Sequence, residues 1–308
     1  MLGVVVGVIL TVGIAEASLR VFDDRLPPRT NWPTVETDFK FQRLNELAEA
    51  DVVFLGSSIT EAAIDPVQLA QQSRVGSAFN SGLPFSTPFS NEWWLDEVVL
   101  GRLEPAIVVI GLTAWSGDLG PAHDPLLSAF EGAMAADGES SMALLENAGV
   151  LSEWDSRMTD AGARALLTDR GHQTGYYDRS IDDAPALQLP HGSAEMPQGE
   201  AETVGRMIDQ LNQDGIEAIV LIEPGRYPGD DGTIDYERYI ESVVTHEAEW
   251  GVTVVDTFHM DWKRDWFADL AHFNRRGTEE FTEFMARTID GLWVDKSGKP
   301  GRSAADIP

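Results

Sequence analysis

A three-layer α/β sandwich, with helices on both faces of a mostly parallel central sheet, is the fold class this sequence predicts. Three observations predict it: short continuous apolar runs, amphipathic stretches of helical spacing that alternate with them, and a chain of 308 residues, long enough for one large core. Apolar residues at 43% and charged residues at 24% match ordinary globular usage, which excludes collagen-like and wholly disordered chains.

The elements follow in order. Residues 23–38 carry three prolines among polar residues and read as a connector extending to about residue 40. Residues 41–50 have helix-like spacing. Residues 52–56, VVFLG, form the kind of uninterrupted β-branched and aromatic run that is buried on both faces of a parallel sheet. Further short strands are expected at 77–80, 106–111 (AIVVIG), 216–222 (IEAIVLI) and 252–256 (VTVVD), with helices at 65–72, 91–103, 200–214, 235–250 and 276–292. The alternation implies that ligands bind where the strands end at their carboxyl edge. Residues 114–198 break it. This Gly-, Asp-, Ser- and Pro-rich stretch, with helical pieces near 126–135 and 161–167, reads as an insertion that builds a lid or specificity wall. Residues 294–308 read as a disordered tail, and no internal repeat is evident.

The formal net charge of -29 comes from 51 Asp plus Glu against 22 Lys plus Arg. Such a surface repels phosphate backbones, so no nucleic-acid partner is expected. It suits either an ordinary solvated acidic surface or a high-salt habitat, where screening relieves self-repulsion. With no cysteine, there is no disulfide, thiolate metal site or Cys nucleophile. The histidines His123, His172, His191, His246 and His259 show no ligand spacing, so no metal and no cofactor are expected.

Residues 2–15, LGVVVGVILTVGIA, are uncharged. As a helix at ~1.5 Å per residue they reach ~21 Å against a ~30 Å hydrocarbon core, and residues 17–22 can lengthen the span. Ala15-Glu16-Ala17 also matches a signal-peptide cleavage site, and a buried core strand is the third reading. The first two place the rest of the chain outside the cytoplasm, as a single N-terminal membrane anchor or as a protein secreted after cleavage at Ala17. Nothing in the sequence specifies an oligomeric state.

The chemistry-bearing residues cluster at strand ends. Ser58 follows the first buried strand in the small-residue turn Gly56-Ser57-Ser58, where amide N–H groups can face a developing oxyanion. A serine nucleophile needs a base. The best candidate is His272, after the last strand region and before the final helix, with Asp269 three residues earlier to fix its tautomer and stabilise the imidazolium. Asp261 and Asp265 are rivals for that orienting role. The tryptophans, including Trp93, Trp94, Trp262 and Trp266, read as core or cleft packing, with carbohydrate stacking the alternative. The run 171–177, GHQTGYY, is expected to reach the site from the insertion.

Taken together and in this order, these blocks resemble the SGNH (also called GDSL) hydrolase family. Gly56-Ser57-Ser58-Ile59 looks like the first block, with Ser57 where the namesake Asp usually stands. Asn80-Ser81-Gly82-Leu83-Pro84 resembles the second, and Asp269 to His272 followed by Asn274-Arg275-Arg276-Gly277 resembles the last. The third block departs: after the strand at 106–110 the pattern Gly-x-Asn-Asp reads Gly111-Leu112-Thr113-Ala114, so a side-chain oxyanion donor is missing unless the Thr113 hydroxyl or a group from the insertion serves. The resemblance spans about residues 50–290. It implies an α/β/α hydrolase domain over 41–293, a Ser58-His272-Asp269 triad, and an oxyanion hole from the Ser58 and Gly82 N–H groups with Thr113. It also implies a serine esterase or O-acyltransferase acting on small O-acyl esters, O-acetyl among them, of an extracellular glycan or envelope polymer. Membrane-anchored members share an N-terminal segment similar to this one. The competing expectation is a non-catalytic envelope-assembly or glycan-binding protein on the same fold.

Overall fold

The computed structural model describes residues 32–113, 124, 126, 166–182, 195–225 and 236–293. The N-terminal segment at 1–22, the first part of the connector, most of the insertion and the tail lie outside the described residues. Among the described residues no helix is long and apolar enough to cross a membrane.

The connector is shorter than expected, because residues Trp32–Glu46 form helix α1. Pro33 sits in its first turn, where a missing N–H costs nothing. The helix buries Glu36, Phe39, Lys40 and Leu44 along one face. Two of those inward positions are charged, so local polarity imitates a solvated linker. The folded unit therefore begins before residue 41.

Strands β1 (Val52–Leu55), β2 (Ala78–Asn80), β3 (Ile107–Leu112), β4 (Glu217–Ile222) and β5 (Thr253–Asp256) form one five-stranded sheet in the order β2-β1-β3-β4-β5. Every pairing is parallel, with Val52 opposite both Ala78 and Ile107, Ile107 opposite Glu217, and Ile219 opposite Thr253. The chain therefore switches direction across the sheet next to β1, the place where a doubly wound sheet opens a crevice at its carboxyl edge.

Alternate residues divide two cores. Val53, Leu55, Val108, Ile110, Val220 and Ile222 pack on one face with Trp94, Val204, Ile208 and Tyr239. Val52, Phe54, Val109, Ile219 and Leu221 pack on the other with Leu69, Phe267, Phe273, Phe281 and Met285. Two-sided burial explains why β1, β3 and β4 are continuous apolar runs rather than alternating ones.

The covering helices are α2 (Ser58–Ala63), α3 (Pro66–Gln72), α4 (Pro88–Trp94), α5 (Gln198–Gln213), α6 (Tyr236–Thr245), α7 (Glu247–Trp250) and α8 (Arg275–Leu292). The helix expected over 91–103 starts earlier, because Thr87 caps it and Pro88 opens it; it then passes into a π-helical turn at Leu95–Val99. In that turn the Leu100 N–H reaches back to the Leu95 carbonyl.

Candidate active site

Ser58, Gly82, Thr113 and the loop that carries Asp269 and His272 follow carboxyl ends of strands. Gly56 leaves β1 at φ +150°, and Ser57 then caps α2, accepting the Ile59 N–H on its hydroxyl at 3.1 Å. Ser58 is the first residue of that helix. The early amides of a helix have no partner within it, yet here they are provided for by other means. Ile59 N–H goes to the Ser57 hydroxyl, Thr60 N–H to Glu223 at 3.2 Å, and Glu61 N–H to the Ser57 carbonyl at 3.0 Å. Among the described residues the Ser58 N–H donates no hydrogen bond, so it is the amide of this turn left to meet a ligand.

His272 and Asp269 stand on the loop between β5 and α8. Phe267 and Phe273 close its neck as an antiparallel bridge, their rings 4.5 Å apart and both buried, and the Ala268 N–H donates to the His272 carbonyl at 2.8 Å. Asn274 caps α8 through the Arg276 and Gly277 N–H groups, and its own amide donates to the Asp265 carbonyl at 2.8 Å. The loop is therefore held at both ends, with the imidazole at its tip.

The geometry there is a continuous relay. Ser58 Oγ lies 2.9 Å from His272 Nε2, and His272 Nδ1 lies 3.0 Å from both carboxylate oxygens of Asp269. Asp269 Oδ1 also accepts the backbone N–H groups of Ala271 and His272, each at 2.8 Å. Burial pushes the Asp269 carboxyl up, but the His272 side-chain hydrogen bond, the imidazole charge and these two amides together outweigh it and hold the group below the usual carboxylate range. Neither Asp261 nor Asp265 is bonded to His272; Asp265 pairs instead with Arg276.

The insertion reaches the site where it is described. The Tyr176 ring stacks on the His272 imidazole, with centroids 4.1 Å apart and planes 7° from parallel. Burial, reinforced by the Asp269 charge, pushes the Tyr176 phenol well above its usual range, so it stays neutral. The Arg179 guanidinium lies over the Tyr176 ring, 5.0 Å from its centroid. The segment is anchored by the Asn80 N–H on the Arg170 carbonyl and by the Gln173 N–H on the Glu61 carbonyl. Its His172 is buried and held neutral by desolvation, its pKa lowered to about 4. Trp94, Trp262 and Trp266 are all buried, which places them in packing.

The expected oxyanion donors divide. Gly82 lies against the turn that carries Ser58, but its N–H donates to Asn80 Oδ1 at 3.1 Å. The Asn80 amide in turn donates to the carbonyls of Thr60, Glu61 and Ile64, tying Gly82 to α2. Thr113 is not aimed at an oxyanion: its hydroxyl donates to the Glu223 carboxylate, a stronger acceptor than any neutral oxygen nearby.

Two groups escaped the sequence reading. Glu223 follows β4 directly, an address equivalent to that of Ser58 after β1, and that position was its signal. The other is a buried charge cluster behind α2. Lys40 forms an ion pair with Glu61 at 2.7 Å and also donates to the Gly82 carbonyl. Glu36 accepts the Gln173 amide at 2.8 Å. Burial, with the Glu61 charge, pushes Glu36 up to about 9 despite Lys40 and Gln173, and burial also raises Glu61 against the pull of Lys40. Among the described residues no group of His, Asp or Glu is arranged to hold a metal ion.

No family model matches the chain, and no curated protein matches it. Solved structures similar to it include a protein of Bacteroides fragilis NCTC 9343 classed provisionally as an acylhydrolase, 14% identical, covering 82% of this chain and 94% of its own, with a TM-score of 0.45. A GDSL-like lipase from Bacteroides thetaiotaomicron VPI-5482 is 12% identical over 84% of this chain and 100% of its own, with a TM-score of 0.43. A catalytic mutant of an acetylxylan esterase from Geobacillus stearothermophilus is 12% identical over 76% and 91%, with a TM-score of 0.41. The α/β assignment itself rests on the sheet order and registers of this chain.

Proposed function

We propose that the chain is a serine esterase or O-acyltransferase of the SGNH hydrolase type. The observation that carries this reading is the 2.9 Å contact between Ser58 Oγ and His272 Nε2, backed by Asp269 at 3.0 Å. In the proposed reaction, His272 Nε2 takes the proton of Ser58 as the hydroxyl oxygen attacks an ester carbonyl. The Ser58 N–H receives the oxyanion, with the Gly82 N–H beside it once a ligand competes with Asn80 Oδ1. Collapse of the tetrahedral intermediate expels the alcohol, which leaves with the proton from His272. The acyl group on Ser58 then passes to water or to an acceptor hydroxyl by the reverse steps. Asp269 keeps Nδ1 protonated and stabilises the imidazolium throughout.

The substrate class proposed is a small O-acyl ester, O-acetyl first among them, on an extracellular glycan or envelope polymer, with the hydrophobic segment at 2–15 anchoring or exporting the chain. This part draws on the family resemblance and on that segment.

The test is hydrolysis of p-nitrophenyl acetate and covalent labelling by a fluorophosphonate probe, for the purified chain and for Ser58→Ala. Turnover and labelling that vanish together in the variant are expected. Equal turnover in both proteins, or no label on Ser58, sinks the proposal. The second outcome favours a non-catalytic glycan-binding or envelope-assembly role, to which the commitment of the Thr113 hydroxyl to Glu223 already lends some support.

A further inference from the structure

Two of the positions that depart from the family pattern, Ser57 for an Asp and Thr113 for an Asn, converge on one side chain. Glu223 is only 3% exposed, and its carboxylate accepts five hydrogen bonds. Oε1 takes the Ser57 N–H at 2.9 Å, the Thr60 N–H at 3.2 Å and the Thr60 hydroxyl at 2.6 Å. Oε2 takes the Ser57 hydroxyl at 2.7 Å and the Thr113 hydroxyl. All five donors belong to the turn that presents Ser58 or to the end of β3.

The backbone leaves room for this carboxylate. A Cβ on Gly56 would lie 2.8 Å from Glu223 Oε1 and 2.4 Å from Thr60 Oγ1. One on Gly111 would lie 2.9 Å and 2.4 Å from the same two atoms. Glycine on both adjacent strands is therefore what allows the carboxylate and the Thr60 hydroxyl to meet beneath the nucleophile.

We propose that Glu223 is a positioning residue for the reaction proposed above, a carboxylate delivered by β4 that does the work of the side chains absent from the first and third blocks. The inference rests on that reading of Ser58. Ser57 and Thr60 flank the nucleophile, and Glu223 grips both by backbone and hydroxyl. Without it, two buried amides lose their acceptor and the turn loses the constraint that directs the Ser58 N–H and hydroxyl. Misplacement of a reacting group by about 1 Å costs on the order of 10²-fold in rate. The loss falls on the chemical step, because Glu223 is covered by the turn and does not meet the substrate.

The experiment compares the full chain with Glu223→Ala and Glu223→Gln. It measures kcat and KM on p-nitrophenyl acetate, together with amide hydrogen exchange of residues 57–61. The alanine variant is expected to lose about 10²-fold in kcat with KM within about twofold. Its exchange should quicken at 57–61 and stay unchanged in β4. Glutamine keeps one acceptor for Ser57 and Thr60 and can donate to the two hydroxyls facing Oε2. It is expected to return kcat to within about tenfold of the parent chain. Unchanged kcat, a loss confined to KM, or unchanged exchange at 57–61 overturns the proposal. Should the alanine variant not fold, Thr60→Val takes its place, with about a tenfold fall in kcat expected and the same overturning results. If the parent chain neither turns over nor labels, the functional reading fails; exchange at 57–61 then still decides whether Glu223 organises the turn.

Discussion

Replacing Glu36 by glutamine should stabilise the protein, and by an amount that depends on pH. Folded, Glu36 keeps its proton up to about pH 9, whereas its ordinary value is 4.5. Because the folded pKa is raised, the associated stability is fully present below the ordinary value and is lost as pH rises toward the folded one. Each pH unit within that window removes about 1.4 kcal/mol, so at pH 7 the accumulated loss is roughly 3 kcal/mol. The glutamine of the variant would carry no proton to lose while still accepting the Gln173 amide that Glu36 Oε1 accepts at 2.8 Å. Glu61, also raised by burial, interacts with Glu36, so the difference between the two proteins reports the pair rather than Glu36 alone. The assay is urea unfolding of the parent and Glu36→Gln between about pH 6 and pH 8, a span over which the gap should widen by a few kcal/mol. Parallel curves, or a variant that is the less stable at the alkaline end, refute the reasoning.

Asp269→Asn should fold and still reduce kcat by about 10³- to 10⁴-fold, since its amide would face His272 Nδ1 and put the imidazole proton on the nitrogen that must accept from Ser58. Steady-state kinetics with circular dichroism of the variant check this; a loss under tenfold would show that Asp269 does not set the tautomer. Tyr176→Phe should leave kcat/KM within about twofold, because it retains the stacked ring. Tyr176→Ala should lower it about fivefold, the equivalent of an aromatic pair worth about 1 kcal/mol. Equal losses in the two variants would assign the effect to the hydroxyl instead.

Strands β1, β3 and β4 were legible because, apart from exposed Glu217 at the start of β4, they are buried apolar runs. The relay was legible because Asp269 and His272 lie in one loop and Ser58 follows the first strand. What escaped depends on contacts between distant segments. Glu36 and Lys40 look like solvated charges until α1 is laid against α2 and the 166–182 segment. Glu223 meets Ser57 across 166 positions of sequence. Thr113 was expected to donate to an oxyanion, and only the fold shows a carboxylate claiming that proton first. The short helix α2 was hidden because its six residues form too brief a stretch to show a period.

Lys40 gives helix α1 a significance beyond architecture. Its ammonium reaches both the Glu61 carboxylate and the Gly82 carbonyl, so the first described helix is part of the floor beneath Ser58. Displacing α1 would therefore be felt first at Gly82 and α2, the residues beside Ser58. A version trimmed to the first strand would lose the cation that neutralises this floor and leave Glu61 without its counter-charge. Any such version has to begin upstream of residue 32.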